Sequence, residues 1–95
     1  MRYFHRTTVS PDSVLSEAER FFGAFTGSWT DPRGLKFVGS IGEIKVNVAM
    51  EGGHYTRITV DTDQVAESEA DKMAKRFLAV VHKRAEPDHE LRGAY

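Results

Sequence analysis

An alternation of apolar and polar side chains within the strands predicted between residues 34 and 62 limits the possible folds more than any other feature. The apolar positions are Leu35, Phe37, Ile44, Val46, Val48, Met50, Ile58 and Val60. The positions between them carry mostly polar side chains, among them Lys36, Glu43, Lys45, Asn47, Tyr55, Arg57, Thr59 and Asp61. A period of two with one polar side is typical of half-buried antiparallel strands. The segment therefore predicts a β-meander with one face in the core.

A further strand is expected at the start of the chain, because residues 2–9 are rich in aromatic and β-branched side chains. Which of its sides faces the core has two alternatives. The odd-numbered set is Tyr3, His5, Thr7 and Val9, and the even-numbered set is Phe4, Arg6 and Thr8. We prefer the odd-numbered set as the inward one, because it leaves both arginines of this segment in water.

Two helices are predicted, one on each side of the meander. The first begins at Ser10-Pro11, where serine caps the helix and proline loses no hydrogen bond, and ends at Gly27. Its apolar stripe comprises Val14, Ala18, Phe21 and Phe25, flanked by Leu15 and Phe22. The second helix is expected over residues 63–85, with a buried stripe of Ala66, Ala70, Met73, Ala74, Phe77 and Val81. Its first half is crowded with carboxylates, which are Asp63, Glu67, Glu69 and Asp71, and Asp63, Glu67 and Glu69 are expected at a solvated helix start.

Turn residues fix the expected strand register. A short strand at 28–31 is followed by Asp31-Pro32-Arg33-Gly34, which suits a hairpin that pairs Asp31 with Leu35 and Trp29 with Phe37. The second hairpin has a loop at residues 51–53. A three-residue loop keeps the apolar faces together, because a slip of one residue inverts every side chain. That loop pairs Met50 with His54, Val48 with Thr56, Val46 with Ile58 and Ile44 with Val60.

Composition indicates one globular domain. The chain has 95 residues, of which 40% are apolar and 28% charged, and its formal net charge is −1. That charge gives no general attraction to nucleic acid or anionic lipid. The absence of cysteine is compatible with a cytoplasmic location, and neither a secretory leader nor a membrane span is expected. We expect one domain over residues 1–86, followed by a flexible polar tail over 87–95.

The expected order is strand, helix, four strands, helix: an α+β fold, β-α-β-β-β-β-α, whose curved antiparallel sheet has both helices on one face. This layout resembles the TBP-like, helix-grip arrangement. The segment Val9-Ser-Pro11-Asp-Ser-Val14-Leu15 is similar to the end of the first strand and the start of the helix in the START-like (SRPBCC) superfamily. The long C-terminal helix after an antiparallel meander resembles it too. This chain lacks that superfamily's additional strands after the first helix. The resemblance implies binding of a small hydrophobic ligand between the sheet and the C-terminal helix.

A ligand site is also suggested by polar side chains among apolar ones beneath the helices. The candidate ligand-binding residues are Tyr3, His5, Trp29, Phe37, His54, Thr56, Met73 and Phe77. A few polar groups in an apolar hollow are typical of a small-molecule pocket. The alternative is that these large side chains simply fill the interior, since protein cores pack at a density of about 0.74.

The uncovered sheet face offers a second candidate surface. Its members are Lys36, Lys45, Asn47, Tyr55 and Arg57, with Val38, Ala49 and Thr59 beside them. Such a face could pair with a second copy of the chain or contact nucleic acid, as it does in TBP-like proteins. Pairing is preferred because Glu43 and Asp61 dilute the positive charge and only one aromatic side chain is expected there.

No catalytic constellation emerges from the sequence, so the protein is not expected to be an enzyme. Asp61-Thr-Asp63 follows an apolar strand, as in phosphatases with an aspartyl nucleophile, but those enzymes have a parallel α/β core. His5 and His54 could share the covered side as a functional pair, although half-buried structural histidines are the more common case. No metal site and no cofactor are predicted.

Overall fold

The computed structural model describes residues 1–23, 25–31 and 33–85, with residues 26–31 described in their backbone alone. The strands are β1 (Arg2–Thr7), β2 (Thr26–Asp31), β3 (Gly34–Gly39), β4 (Gly42–Glu51) and β5 (Tyr55–Thr62). The helices are α1 (Pro11–Phe21) and α2 (Glu69–Ala85). The predicted tail at 87–95 lies outside the described residues. No helix in the described part is long and apolar enough to cross a membrane.

The strands form one open antiparallel sheet in the order β1-β5-β4-β3-β2. Both helices pack on the same face of this sheet, α1 against β3 and β4 and α2 against β1, β4 and β5. The predicted α+β fold with the order β-α-β-β-β-β-α is therefore confirmed. The buried core lies between the two layers and comprises Val14, Leu15, Ala18, Phe22, Leu35, Phe37, Ile44, Val46, Val48, Ile58, Val60, Ala70, Ala74, Phe77, Leu78 and Val81.

The odd-numbered side chains of strand β1 face the helices, which confirms the preferred alternative. Burial alternates along the strand, with Tyr3 and His5 partly buried, Thr7 buried, and Phe4 and Arg6 exposed. The strand pairs with β5, so that His5 lies opposite Ile58, a fully buried core residue. Directly opposed side chains in an antiparallel pair share a face of the sheet, which explains the inward position of the odd-numbered set.

The hairpin between β4 and β5 has a register different from the predicted one. Met50 pairs with Thr56 instead of His54, and Glu51, predicted to lie in the loop, pairs with Tyr55. Gly52 and Gly53 both have positive φ angles, so the turn centres on the residues that adopt the left-handed region most readily. The loop therefore moves one residue along the chain. Each predicted pairing is displaced by two residues, which preserves the buried and exposed faces.

The predicted pairing of the β2–β3 hairpin is also wrong. Asp31 pairs with Gly34, and Trp29 pairs with Leu35, with a register irregularity between Trp29 and Asp31. The prediction assigned Gly34 to the turn. In the structure Gly34 is a strand residue, paired with Asp31 on one side and with Asn47 on the other.

Helix α1 begins as predicted and ends earlier. Ser10 accepts the N–H of Ser13 at 3.3 Å, and Pro11 is the first helical residue. The helix ends at Phe21, and Phe22 donates its N–H to the Ala18 carbonyl at 2.8 Å. The predicted end at Gly27 was wrong because Thr26 already begins strand β2. As a result Phe22, predicted to flank the apolar stripe, becomes fully buried.

Helix α2 begins at Glu69, six residues after the predicted start at Asp63. The Ser68 hydroxyl oxygen accepts the N–H of Asp71 at 3.1 Å, the bond that defines a serine N-cap. Glu67, immediately before it, has a φ of 69°, which no helical residue adopts. Ala66 consequently lies outside the helix and is exposed rather than buried.

Candidate functional site

A cavity of about 190 Å³ lies where the sheet meets the C-terminal end of α2. We name it the histidine cavity. Its lining residues are His5, Arg6, Thr7, Thr8, Tyr55, His82 and Ala85. Strand β1 and the residue after it supply four of them, β5 supplies Tyr55, and the last turn of α2 supplies His82 and Ala85. The cavity therefore lies between the sheet and the C-terminal helix, at one end of that interface.

The two histidines contact each other across this interface. Their ring centroids are 5.7 Å apart, and the ring planes meet edge to face at 68°. His5 Nε2 is buried and has no hydrogen-bond partner among the described residues. Burial lowers the pKa of His5 below its usual 6.5, and the neighbouring His82 lowers it further. A buried imidazole nitrogen without a partner is costly, which makes it the strongest mark of a binding position in the described part of the chain.

Donors dominate the lining of the histidine cavity. The guanidinium of Arg6, two imidazoles and three hydroxyl groups border it, and no carboxylate of the described ranges does. The Thr7 hydroxyl oxygen accepts the Val9 N–H at 3.2 Å, and Thr56 donates its hydroxyl to the Val9 carbonyl at 2.7 Å. These bonds fix the chain as it leaves β1, so the cavity wall is held by the fold itself.

A second, more open hollow of about 210 Å³ lies on the uncovered side, lined by Phe4, His5, Arg6, Glu51 and Arg57. Arg6 donates from Nη2 to Glu51 Oε1 at 2.6 Å, and its guanidinium lies 5.8 Å from the centroid of the Tyr55 ring. The other carboxylate oxygen of Glu51 is buried without a hydrogen-bond partner among the described residues. His5 borders both this hollow and the histidine cavity.

The open sheet face carries more aromatic surface than the sequence suggested. Phe4 is 53% exposed and Tyr55 is 46% exposed, on the neighbouring strands β1 and β5. Arg6 lies directly opposite Arg57, and Arg57 has no ion pair within the described residues. The predicted cations Lys36 and Lys45 both lie near Glu43, at 3.9 Å and 3.7 Å. The sequence analysis did not include Phe4 in the open face. The preferred orientation of β1, with its odd-numbered side chains inward, nevertheless places Phe4 there.

A buried polar cluster that the sequence reasoning missed joins β1 to α2. Asp71, predicted only as part of the acidic first half of the helix, is 0% exposed and accepts the Tyr3 hydroxyl. Its other oxygen accepts the Glu67 N–H at 3.0 Å and lies 3.3 Å from Lys75 Nζ. Burial opposes ionisation of Asp71, but these partners outweigh it and hold the carboxyl pKa below its usual 3.8. The sequence feature that could have located Asp71 is Ser68-Glu-Ala-Asp71, because a serine followed three residues later by an acidic residue is typical of a helix start.

The predicted ligand-binding residues separate into three environments. Phe37, Phe77 and Thr56 are buried, whereas Tyr3, His5 and Met73 are partly buried. His54 is exposed in the turn after β4, and among the described histidines it is His82 that contacts His5. Trp29 is a residue of β2 whose side chain lies outside the described part. Of the seven whose side chains are described, His5 is the one that lines the histidine cavity.

The rings of Phe37 and Phe77 contact a common neighbour in the core. Their centroids lie 4.9 Å and 5.4 Å from that of Phe22. Neither described cavity is lined by Phe37, Met73 or Phe77. Within the described ranges, no three histidine, cysteine or carboxylate side chains are grouped so as to hold a metal ion.

A scan against protein-family models gives no match for this chain, and a search of curated proteins gives none either. What the protein binds is therefore inferred from the geometry of the histidine cavity and of the open sheet face.

Proposed function

We propose that this protein is a non-catalytic binding module that holds a small molecule in the histidine cavity, between the sheet and the C-terminal helix. The observation that carries the proposal is that His5, whose buried Nε2 has no hydrogen-bond partner among the described residues, lines a cavity of about 190 Å³. A ligand that hydrogen-bonds this nitrogen removes the cost of leaving it unsatisfied. Convergent polar groups at a hollow between two layers of structure are typical of small-molecule sites.

The size of the cavity limits the ligand. Pockets for drug-sized molecules measure about 300–1,000 Å³, so a cavity of about 190 Å³ suits a smaller ligand or one end of a longer one. Phe22, Phe37 and Phe77 fill the middle of the sheet–helix interface with mutually contacting rings. This packing favours the end of the interface, beside His5 and His82, over its centre.

The test is a screen of small polar fragments by two-dimensional amide NMR. We expect saturable shifts at Thr7, Thr8 and Ala85 for at least one fragment. His5→Phe should abolish them, because phenylalanine keeps a ring and removes the nitrogen. His54→Phe is the matched control, since His54 is an exposed turn histidine that borders neither cavity. Equal loss in both variants, or no saturable shift in the native protein, would contradict the proposal.

The second candidate function is contact with single-stranded nucleic acid through the open sheet face. Arg6 and Arg57 are directly opposed there, and like charges in that position destabilise a sheet. A phosphate between them would relieve the repulsion, while Phe4 and Tyr55 offer two exposed rings for base stacking. The same cationic excess opposes face-to-face pairing with a second copy of the chain.

Arg57→Thr separates this candidate from a purely structural role. Removing one of two opposed arginines should leave the free energy of unfolding unchanged or higher, while binding of a labelled oligothymidine, followed by fluorescence anisotropy, should weaken. Binding should also fall steeply with salt. Absence of binding at low salt would contradict the candidate, and a concentration-dependent dimer in sedimentation would favour self-association instead.

A further inference from the structure

We propose that the ligand of the histidine cavity is a small organic carboxylate, bound as its anion and accompanied by uptake of one proton on His5. This inference rests on the proposed function, because it names the chemistry of the molecule that the histidine cavity would hold. It depends on the composition of the lining and on the placement of its charges.

The lining is complementary to an acceptor. Arg6, Thr7, Thr8, Tyr55 and the two histidines can each donate a hydrogen bond, and Ala85 supplies an apolar contact. Among the residues that the structure describes, no Asp or Glu borders the cavity. A cationic ligand would find no counter-charge on these residues, and a neutral hydrocarbon would leave their donors unpaired. An oxyanion satisfies several donors at once, and hydrogen bonds to an ionised acceptor are about twice as strong as neutral ones.

The charge balance favours a single negative charge. Arg6 already pairs with Glu51 at 2.6 Å, so its charge is shared with a carboxylate outside the histidine cavity. The positive charge still to be supplied must come from an imidazole that gains a proton. His5 is the candidate, because its buried Nε2 has no hydrogen-bond partner among the described residues and its ring lies 5.7 Å from that of His82 in the cavity lining. One proton on His5 balances one carboxylate, whereas a phosphate dianion would remain uncompensated.

The surrounding charged and titratable groups agree with this assignment. Among the described residues they are Arg6 on β1, Tyr55 and Arg57 on β5, and Glu51 on β4. Burial lowers the pKa of His5, so without a bound anion that imidazole is neutral near pH 7. A bound anion favours the protonated form and raises the pKa of the imidazole that it contacts. Binding and protonation are thus linked, and each strengthens the other.

The experiment compares benzoate with benzamide, which have nearly the same shape and differ in charge. Calorimetric titrations run from pH 5.5 to 8, where benzoate stays ionised. Benzoate should bind at least about tenfold more tightly than benzamide at pH 5.5. Its affinity should fall by about tenfold per pH unit above the pKa of the imidazole that takes up the proton. Imidazole ¹⁵N spectra should show that pKa rising when benzoate is added.

Variants and the remaining outcomes separate this inference from the function on which it rests. His5→Asn should weaken benzoate binding and remove most of its pH dependence, whereas His54→Asn should change neither. Because the imidazole titration uses the native protein, it decides the question even where His5→Asn fails to fold. Equal, pH-independent binding of benzoate and benzamide at Thr7 and Ala85 would overturn the carboxylate assignment and leave the cavity as a binding site. Tighter binding of inorganic phosphate than of benzoate would also overturn it. No saturable binding of either probe would overturn both proposals.

Discussion

At the residue scale, the most consequential contact is the one between Tyr3 and Asp71. It joins the edge strand β1 to the helix α2, two elements separated by most of the chain. A buried carboxylate is costly unless its oxygens are hydrogen-bonded, and here the Tyr3 hydroxyl, the Glu67 N–H and Lys75 satisfy it. The same helix carries His82, so this contact also helps to hold the cavity wall against β1.

Tyr3→Phe should lower the free energy of unfolding by about 1–3 kcal/mol, because it leaves a buried charged acceptor with one donor fewer. Tyr55→Phe is the matched control, since Tyr55 is an exposed tyrosine of the open face whose ring contact with Arg6 survives the change. Urea denaturation measures both. Similar effects in the two variants would show that the bond to Asp71 contributes little.

The His5 imidazole should make the fold sensitive to mild acid. Its folded-state pKa lies below the usual 6.5, so on acidification the unfolded chain binds a proton before the folded one does. Stability should therefore decrease as the pH falls from about 6.5 toward the lowered pKa, and then level off. Thermal unfolding between pH 7.5 and 4.5 measures this. His5→Gln should remove this decrease of the unfolding temperature with falling pH, whereas His54→Gln should retain it.

Asp71 should act in a separate, more acidic range. Its folded-state pKa lies below the usual 3.8. Its contribution to the free energy of unfolding is therefore fully present above pH 3.8 and is lost as the pH falls through the lowered pKa. We therefore expect two successive losses of stability on acidification. His5→Gln should remove the first, and Asp71→Asn should remove the second, more acidic one.

At the scale of the element, the start of α2 depends on the conformation of Glu67. Its positive φ costs an L-residue roughly 1–2 kcal/mol. In return, the turn delivers the Glu67 N–H to Asp71 and allows Ser68 to cap the helix. The acidic stretch that suggested one long helix from Asp63 is in fact a turn followed by a capped helix.

Glu67→Gly should raise the free energy of unfolding by about 0.5–1 kcal/mol. Glycine adopts the left-handed region without the steric cost that Glu67 bears. The larger conformational entropy of glycine in the unfolded chain cancels only part of this stabilisation. Glu69→Gly, two residues along in the first turn of α2, should lower it by a similar amount. Chemical denaturation compares the two. Destabilisation by Glu67→Gly would show that the left-handed turn is not maintained in solution.

At the scale of the whole molecule, Phe22 joins the two layers. It is fully buried, and its ring contacts Phe21, Phe25, Phe37 and Phe77, which come from the α1 region, β3 and α2. An ion pair between Glu17 and Arg84, at 3.0 Å, joins the two helices at their margin. The aromatic contacts hold both helices on one sheet face, and the histidine cavity lies at the end of that interface.

Phe22→Ala should cost about 3–5 kcal/mol, since it opens a cavity among large rings. A domain of this size is stable by only about 5–10 kcal/mol, so the variant should be marginally folded at room temperature. Phe4→Ala is the matched control: the same change on the open face, where the ring is 53% exposed, should cost far less. Circular dichroism during thermal unfolding compares them. A Phe22→Ala protein as stable as the Phe4→Ala protein would contradict this description of the core.

The sequence alone determined the faces of β1, β3, β4 and β5, because apolar alternation has a period of two and any odd slip would expose the core. Leu35, Val46, Ile58 and the inward side of β1 were all predictable on that ground. It also predicted the start of α1 from Ser10-Pro11, since that cap depends on neighbouring residues.

Tertiary structure alone decided the matters that depend on contacts between distant residues. The hairpin registers differ from prediction because a shift of two residues keeps the same faces, so hydrophobic patterning cannot detect it. The burial of Asp71 depends on Tyr3, and the contact of His5 with His82 depends on where α2 crosses β1. Neighbouring residues in the sequence do not indicate which distant side chains will meet. The candidate site consists of such long-range contacts, so the sequence could not predict it.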